Sequence, residues 1–257
     1  MSRSELLNED NNSTVLANAC EMPHAGESVR ATSLESVTKH FGRFAALRGV
    51  TADFCSGRLY TIVGDNGAGK STLLRIITGL LQPTRGKVEV LGTSALCDVR
   101  PQIGYMAHAP LLYEELDAME NLRYFGGLYG IRDHGRFESA IRMVGLDPEL
   151  KRRVGQYSQG MRQRLSLARS VLNDPKLLLL DEPFSNVDIV SAREMVRLLG
   201  RMRDGGKTIF LVTHQPSLLE GTADEFVHMT MGRIVERVRP APSPAGPVSV
   251  SSTEGRL

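Results

Sequence analysis

The sequence lacks any apolar run that approaches the roughly 18 consecutive residues needed to cross a bilayer. It also lacks the basic and then apolar start of a secretory signal peptide, since residues 1–30 mix acidic side chains with Asn and Ser. We therefore expect any membrane-spanning part of an assembly that contains this protein to come from other chains.

Cysteine is scarce and charge of one sign is not in excess. Cys20, Cys55 and Cys97 are widely separated and form no C-x-x-C pair, so neither a disulfide framework nor a zinc site is predicted. A reducing cytosol is the simplest interpretation. The net charge of +2 is too small to indicate a nucleic-acid partner.

No internal repeat is visible, so a single copy of one domain is expected. The composition is ordinary for a globular protein, because 41% of the 257 residues are hydrophobic and 23% are charged. Residues 1–30 are polar without periodicity, and residues 239–257 are rich in Pro and Ser. We predict a disordered leader, a folded domain over residues 31–238, and a disordered tail.

Strands and helices are predicted to alternate along the folded part. Leu177–Leu180 is apolar at every position, which favours a central parallel strand covered on both faces. Further strands are predicted over residues 47–54, 59–63, 87–91 and 208–212, a hairpin over 226–238, and helices over 70–81, 119–129, 137–144, 158–172 and 191–202. This order predicts an α/β fold, with an inserted α-helical subdomain over about residues 110–165.

A glycine-rich segment after the 59–63 strand matches the pattern G-x-x-x-x-G-K-[ST]. Its glycines allow the backbone N–H groups to converge on phosphate oxygens, and the following helix N-terminus favours anions. We expect Lys70 to reach the outer phosphates, Ser71 to ligate Mg²⁺ and Thr72 to add a phosphate contact. The alternative is a flexible glycine turn. The predicted loop comprises Gly64, Asp65, Asn66, Gly67, Ala68, Gly69, Lys70 and Ser71.

Two adjacent carboxylates follow the apolar strand. Asp181 ends a buried strand, where a carboxylate is costly unless it is paired or bound to a metal, so we expect it to hold Mg²⁺ through water. Glu182 is the candidate general base that polarises the attacking water. The alternative is a strand that simply leaves the sheet through an Asp-Glu-Pro turn. His214 ends the next predicted strand, at the edge where ligands of parallel sheets bind, and can contact the γ-phosphate. The alternative for His214 is a capping or surface histidine.

The segment Tyr-Ser-Gln-Gly-Met-Arg-Gln-Arg at residues 157–164 resembles the signature sequence of ABC ATPases, usually Leu-Ser-Gly-Gly-Gln. The resemblance covers nearly all of residues 31–238 and implies the P-loop NTPase core of the ABC type, with an antiparallel β subdomain and the inserted helical subdomain. It also implies ATP and Mg²⁺ as ligands and a homodimer that sandwiches the nucleotides. Ser158 and Gly160 of one copy would close on the γ-phosphate held by Lys70 of the other.

Further positions take their roles from the same resemblance. Phe41 stands where the family stacks an aromatic ring on adenine, although an ordinary half-buried aromatic remains the alternative. Asp188 matches the family's D-loop at the dimer seam, and His214 matches its H-loop histidine. The family implies integral membrane subunits as partners, a peripheral location at the cytoplasmic face of the inner (plasma) membrane, and hydrolysis coupled to transport.

The chain also departs from the family pattern. His108 stands where the family usually has a Gln that touches Mg²⁺, and imidazole is a poor Mg²⁺ ligand. His108 and residues 115–122 resemble the haem exporter ATP-binding subunit of the cytochrome c maturation system. Haem export is therefore the expected function. The alternatives are an ABC-2-type drug or lipid exporter and, as a different class, a soluble non-transport ABC ATPase.

Overall fold

The computed structural model describes residues 29–240, which form two β-sheets and six α-helices. The strands are β1 (Arg30–Phe41), β2 (Phe44–Cys55), β3 (Leu59–Val63), β4 (Arg85–Val90), β5 (Ile103–Met106), β6 (Leu177–Asp181), β7 (Thr208–Val212), β8 (Glu225–Thr230) and β9 (Arg233–Val238). The helices are α1 (Lys70–Ile77), α2 (Leu96–Val99), α3 (Ala118–Leu128), α4 (His134–Met143), α5 (Gln159–Val171) and α6 (Ile189–Asp204). The predicted leader and tail lie outside these residues except at 29–30 and 239–240, and Arg30 already belongs to β1.

The larger sheet has the strand order β5-β6-β7-β3-β8-β9, and all neighbouring pairs are parallel except β8 with β9. The central strand β6 is buried at every position. Its side chains alternate between two hydrophobic clusters, with Leu178 and Leu180 in one and Leu177 and Leu179 in the other. Burial on both faces of the sheet thus explains why this strand is apolar at every position from Leu177 to Leu180.

The smaller sheet is antiparallel and has the order β2-β1-β4. Its strand β2 contacts the β8–β9 hairpin, since the backbone N–H of Arg48 donates to the Gly232 carbonyl at 2.9 Å. This contact places β2 beside the loop that follows β3.

The helices α3, α4 and α5 form the helix-rich part of the domain. Asp117 begins α3 with a capping box, in which its side chain accepts from the Glu120 N–H and Glu120 accepts from the Asp117 N–H. Phe137 of α4 packs against Gly126 of α3, where an added Cβ would lie 2.5 Å from the ring. Helix α5 continues to Val171, beyond the predicted end of the subdomain at residue 165.

The predicted α/β class, with its antiparallel sheet and inserted helices, is confirmed. One helix differs clearly from its predicted extent, because α1 ends at Ile77 rather than at residue 81. Gly79 adopts a φ of 71°, a left-handed conformation that terminates helices. Within residues 29–240, no helix combines the length and the apolar character required to span a membrane.

Candidate functional site

Three strand ends meet at one edge of the larger sheet. β3 leads into the 64–69 loop, its neighbour β7 ends close to His214, and β6 on the far side of β7 ends at Asp181. Ligands of parallel sheets bind at this edge. A cavity of about 520 Å³ opens there. Its walls are formed by Phe44, Ala46, Asn66, Gly67, Ala68, Gly69, Lys70, Ser71, Thr72, His108, Asp181, Glu182, Ser185, Val212 and His214.

The glycine-rich loop is held tightly between neighbouring backbone segments. Gly64 has a φ of 146°, and a Cβ there would lie 2.1 Å from the Met229 carbonyl oxygen. Gly69 has a φ of 99°, and its Cβ would lie 2.5 Å from the Ala46 carbonyl oxygen. Both positions therefore require glycine for conformation and for space.

Gly64→Ala is expected to lower the free energy of unfolding by about 3 kcal/mol, because the new methyl group meets a backbone oxygen and the φ is strained. Gly67→Ala is the matched control. Gly67 has a φ of 80° but open space around its Cβ position, so only strain of about 1 kcal/mol is expected. Urea unfolding of both variants measures the difference, and equal losses would contradict the packing argument.

Lys70 begins α1, and its side chain reaches back to the first residues of the 64–69 loop. Its Nζ donates to the Gly64 carbonyl at 2.7 Å and to the Asp65 carbonyl at 2.9 Å, and the residue is 6% exposed. Burial lowers the pKa of Lys70, while the carboxylates of Glu182 and Asp181 oppose that shift. When a nucleotide binds, the ammonium group can exchange its two carbonyl partners for phosphate oxygens. The N-terminus of α1, where Lys70 lies, also favours anions.

Ser71 and Asp181 form a group of oxygen donors next to Lys70. The Ser71 Oγ donates to Asp181 Oδ1 at 2.9 Å. The other carboxylate oxygen, Oδ2, is buried and has no hydrogen-bond partner among residues 29–240. A buried, unpartnered carboxylate oxygen beside a hydroxyl fits a hard cation such as Mg²⁺, which prefers oxygen ligands.

Glu182 occupies a strained position directly after β6. Its φ is 56°, unusual for a residue other than glycine, and it is 9% exposed. The backbone N–H of His214 donates to Glu182 Oε2 at 3.3 Å, whereas His214 Nε2 lies 3.3 Å from Oε1 without hydrogen-bond geometry. Burial raises the pKa of Glu182, and His214 and Lys70 counter that rise. Strain and a perturbed acid together are typical of functional positions.

The remaining signature and D-loop candidates form a second cluster that does not line the cavity, with Ser158 and Asp188 exposed and Gly160 half-buried. Ser158 is the N-cap of α5, and its side chain accepts from the Met161 N–H at 3.2 Å. Asp188 is the N-cap of α6, and the Ser191 N–H lowers the pKa of its carboxyl. Gly160 joins the two, because a Cβ there would lie 4.0 Å from Asp188 Oδ2. The structure thus brings these three residues together, and none of them lines the cavity that contains Lys70.

The aromatic side chain that lines the cavity is Phe44, not the predicted Phe41. Phe41 is 49% exposed and carries the Lys39 ammonium 5.3 Å from its ring centroid. The two phenylalanines are cross-strand partners around a two-residue turn, so the sequence alone favours neither. β2 rather than β1 contacts the loop through Ala46, and this contact places Phe44 at the site. Asp65 also lies outside the cavity wall and contributes its carbonyl to Lys70.

Comparison with protein families gives one matching model, described as "ABC transporter", over residues 47–185. The "ABC transporter ATP-binding protein NatA" of Bacillus subtilis is 34% identical over 199 residues, which cover 75% of this chain and 81% of that protein. The bacitracin transport ATP-binding protein BcrA of Bacillus licheniformis is 33% identical over 206 residues, covering 79% of this chain and 67% of the relative.

Among solved structures, the dimeric post-hydrolysis state of the ATP-binding cassette MJ0796, bound to ADP and Pi, superposes with a TM-score of 0.75. The two sequences are 25% identical, and the match covers 82% of this chain and all of that one.

A third sequence relative, the lantibiotic transport ATP-binding protein SrtF of Streptococcus pyogenes, is 34% identical over 203 residues, covering 79% of this chain and 88% of that protein.

Proposed function

The chain belongs to the ABC transporter family, whose cassettes hydrolyse ATP, and from this premise we propose that two copies close face to face around two ATP molecules to power export. The observation that carries the proposal is the division of the site. Lys70 and Glu182 line one cavity, whereas Ser158 and Gly160 of the same copy lie outside its wall. A second copy supplies the missing serine, and the related cassette MJ0796 is a dimer.

Within one copy, each side chain has a definite task. Lys70 neutralises charge on the outer phosphates, and the loop N–H groups hold them in place. Glu182 orients the attacking water and accepts its proton, while His214 steadies the γ-phosphate. Ser71 and Asp181 would hold Mg²⁺, which supplies further charge neutralisation when it is bound. Thr72 adds a hydroxyl to the phosphate contacts.

A second surface supports the proposed membrane partner. A groove of about 310 Å³ lies between α3, the end of α5 and β5. Large apolar side chains are left exposed along it, with Leu80 at 60%, Leu128 at 70% and Tyr129 at 50%. Exposed apolar side chains that cluster around a groove mark interaction sites. Since the chain belongs to a transporter family, we propose that a cytoplasmic segment of the membrane subunit binds in this groove.

Leu128→Asp is expected to reduce co-purification of integral membrane proteins at least about tenfold, because a charge in the centre of an apolar interface costs more than 1.4 kcal/mol. Val235→Asp, at a side chain 54% exposed on β9, is the control and should leave recovery unchanged. The measurement is affinity purification from detergent-solubilised membranes. Recovery of ribosomes or DNA instead of membrane proteins would favour the soluble class of ABC ATPase.

The names of the relatives bear on the cargo. BcrA and SrtF are named for bacitracin and lantibiotic transport, which favours export of drugs or peptide antibiotics over the haem export first expected. We therefore propose the alternative of an ABC-2-type exporter, with drugs or peptide antibiotics as the cargo, and haem export now rests on His108 and residues 115–122 alone. Deletion of the gene distinguishes the two, by antibiotic sensitivity in the first case and loss of c-type cytochromes in the second.

A further inference from the structure

A second polar cleft lies where the C-terminal end of α4 meets α5 and α6. Its volume is about 320 Å³, and it shares no wall residue with the nucleotide cavity. Its charged residues are Arg142, Arg164, Glu194, Arg197 and Arg201, four cations and one anion. We propose that this cleft binds a phosphate group of a small metabolite or of a lipid headgroup.

The cleft is built around a fixed guanidinium group. Arg164 donates from Nη1 to the Val144 carbonyl at 3.1 Å and from Nη2 to Glu194 at 2.5 Å, and its side chain is 13% exposed. Gly145 leaves room for this arrangement, because a Cβ there would lie 2.6 Å from Arg164 Nη1. The guanidinium is therefore held in place before any ligand arrives, which lowers the entropic cost of binding.

Two further arginines, both exposed, line the same cleft. Arg197 and Arg201 are four residues apart on α6, so their side chains are neighbours on one helix face and repel each other. Neither has an ion pair within residues 29–240. Arg201 lies in the last turn of α6, where a positive charge is favoured by the helix dipole. Arg197 lies before that turn and gains no such stabilisation. A bound anion would relieve the repulsion that the fold leaves uncompensated.

The chemistry of the walls selects the ligand class. Guanidinium groups are weakly hydrated, planar forks that match phosphate oxygens in pairs. The volume is in the range of small-molecule sites and admits a phosphate with a small attached group. Glu194 is paired with Arg164 and Glu138 with Arg142, so Arg197 and Arg201 are the guanidinium groups that remain available in the cleft.

The position of the cleft gives the ligand a route to the nucleotide site. α5 begins after Ser158 and α6 begins after Asp188, the two residues proposed to face the second copy. The Arg164–Glu194 ion pair joins these helices directly. An anion that competes with Glu194 for Arg164 would alter this link. Binding itself requires neither ATP nor dimerisation, so it is testable separately from the proposed function.

The test compares the full-length chain with the double variant Arg197→Gln/Arg201→Gln. Arg193→Gln/Arg233→Gln is the control, since both of its arginines are exposed, lie outside the cleft and carry the same total charge. Glycerol 3-phosphate is titrated by calorimetry, and phosphatidylcholine vesicles with and without phosphatidic acid are used in flotation. Mg²⁺ and ADP are present throughout, so that the nucleotide cavity is occupied.

We expect the wild type and the control variant to bind one of the two probes with equal affinity. The cleft variant should bind the same probe at least about tenfold more weakly. Binding of glycerol 3-phosphate identifies a soluble ligand, and binding only to phosphatidic acid vesicles identifies a headgroup. The proposal is overturned if neither probe binds, if the cleft variant binds as well as the wild type, or if the control loses binding equally. Equal loss in the control would show that the probe is attracted by the net positive charge of the protein and not by the cleft.

Discussion

Lys70→Ala is expected to weaken Mg·ATP binding by at least about 100-fold, equivalent to about 2.7 kcal/mol. The substitution removes the one buried ammonium group in the cavity wall, which Gly64 and Asp65 hold through their carbonyls. A charge-assisted hydrogen bond to phosphate is worth more than a hydrogen bond between neutral groups. Calorimetric titration with a non-hydrolysable ATP analogue measures the loss.

The nucleotide-free variant should remain folded, because burial already disfavours the charged form of Lys70 and alanine removes that cost. Lys87→Ala is the control, since the Lys87 side chain is 79% exposed and lies outside the cavity wall. Its affinity should equal that of the wild type. Tight ATP binding by the Lys70 variant would show that the triphosphate does not rest in this loop.

Much of the fold is readable from the sequence because burial leaves a pattern. The apolar run of β6 predicts a strand covered on both faces, and its leucines do alternate between two cores. The end of α1 was also readable, since Gly79 lies within the predicted helix and takes the left-handed conformation that ends it at Ile77. The predicted continuation to residue 81 gave the apolar spacing too much weight relative to this glycine.

The aromatic wall of the site was not readable in the same way. Phe41 and Phe44 flank one turn and are both exposed, so local sequence gives them equal standing. The choice depends on a contact between β2 and the glycine-rich loop, at Ala46 and Gly69, which are distant in sequence. The arginine cleft was equally hidden, because its walls come from three helices that the sequence places apart.

Asp188 shows how a functional expectation and a structural role can share one residue. The family resemblance assigns it to the dimer seam, and the structure uses it as the N-cap of α6. The predicted helix started at residue 191, whereas α6 begins at Ile189 because this cap precedes it. The same side chain lies about 4 Å from the Cβ position at Gly160, so capping also fixes the spacing of the second cluster.

Glu182→Gln is expected to lower the rate of ATP hydrolysis by about 10²–10⁴-fold while ATP binding persists. The amide keeps the shape of the side chain but cannot accept the proton of the attacking water. It also removes a negative charge that lies close to the γ-phosphate position, where it repels the nucleotide. Lys70 and Ser71 stay in place, so affinity for ATP is retained or strengthened.

The Glu182 variant should therefore accumulate as an ATP-bound dimer, because the step that reopens the pair is blocked. Light scattering after gel filtration in Mg·ATP should give twice the mass of the nucleotide-free chain. Glu220→Gln, an exposed carboxylate outside the cavity, is the control and should hydrolyse ATP at the wild-type rate. Unchanged hydrolysis would remove Glu182 from its proposed role. A variant that binds ATP yet stays monomeric would mean that Ser158 and Gly160 do not complete the site of a second copy.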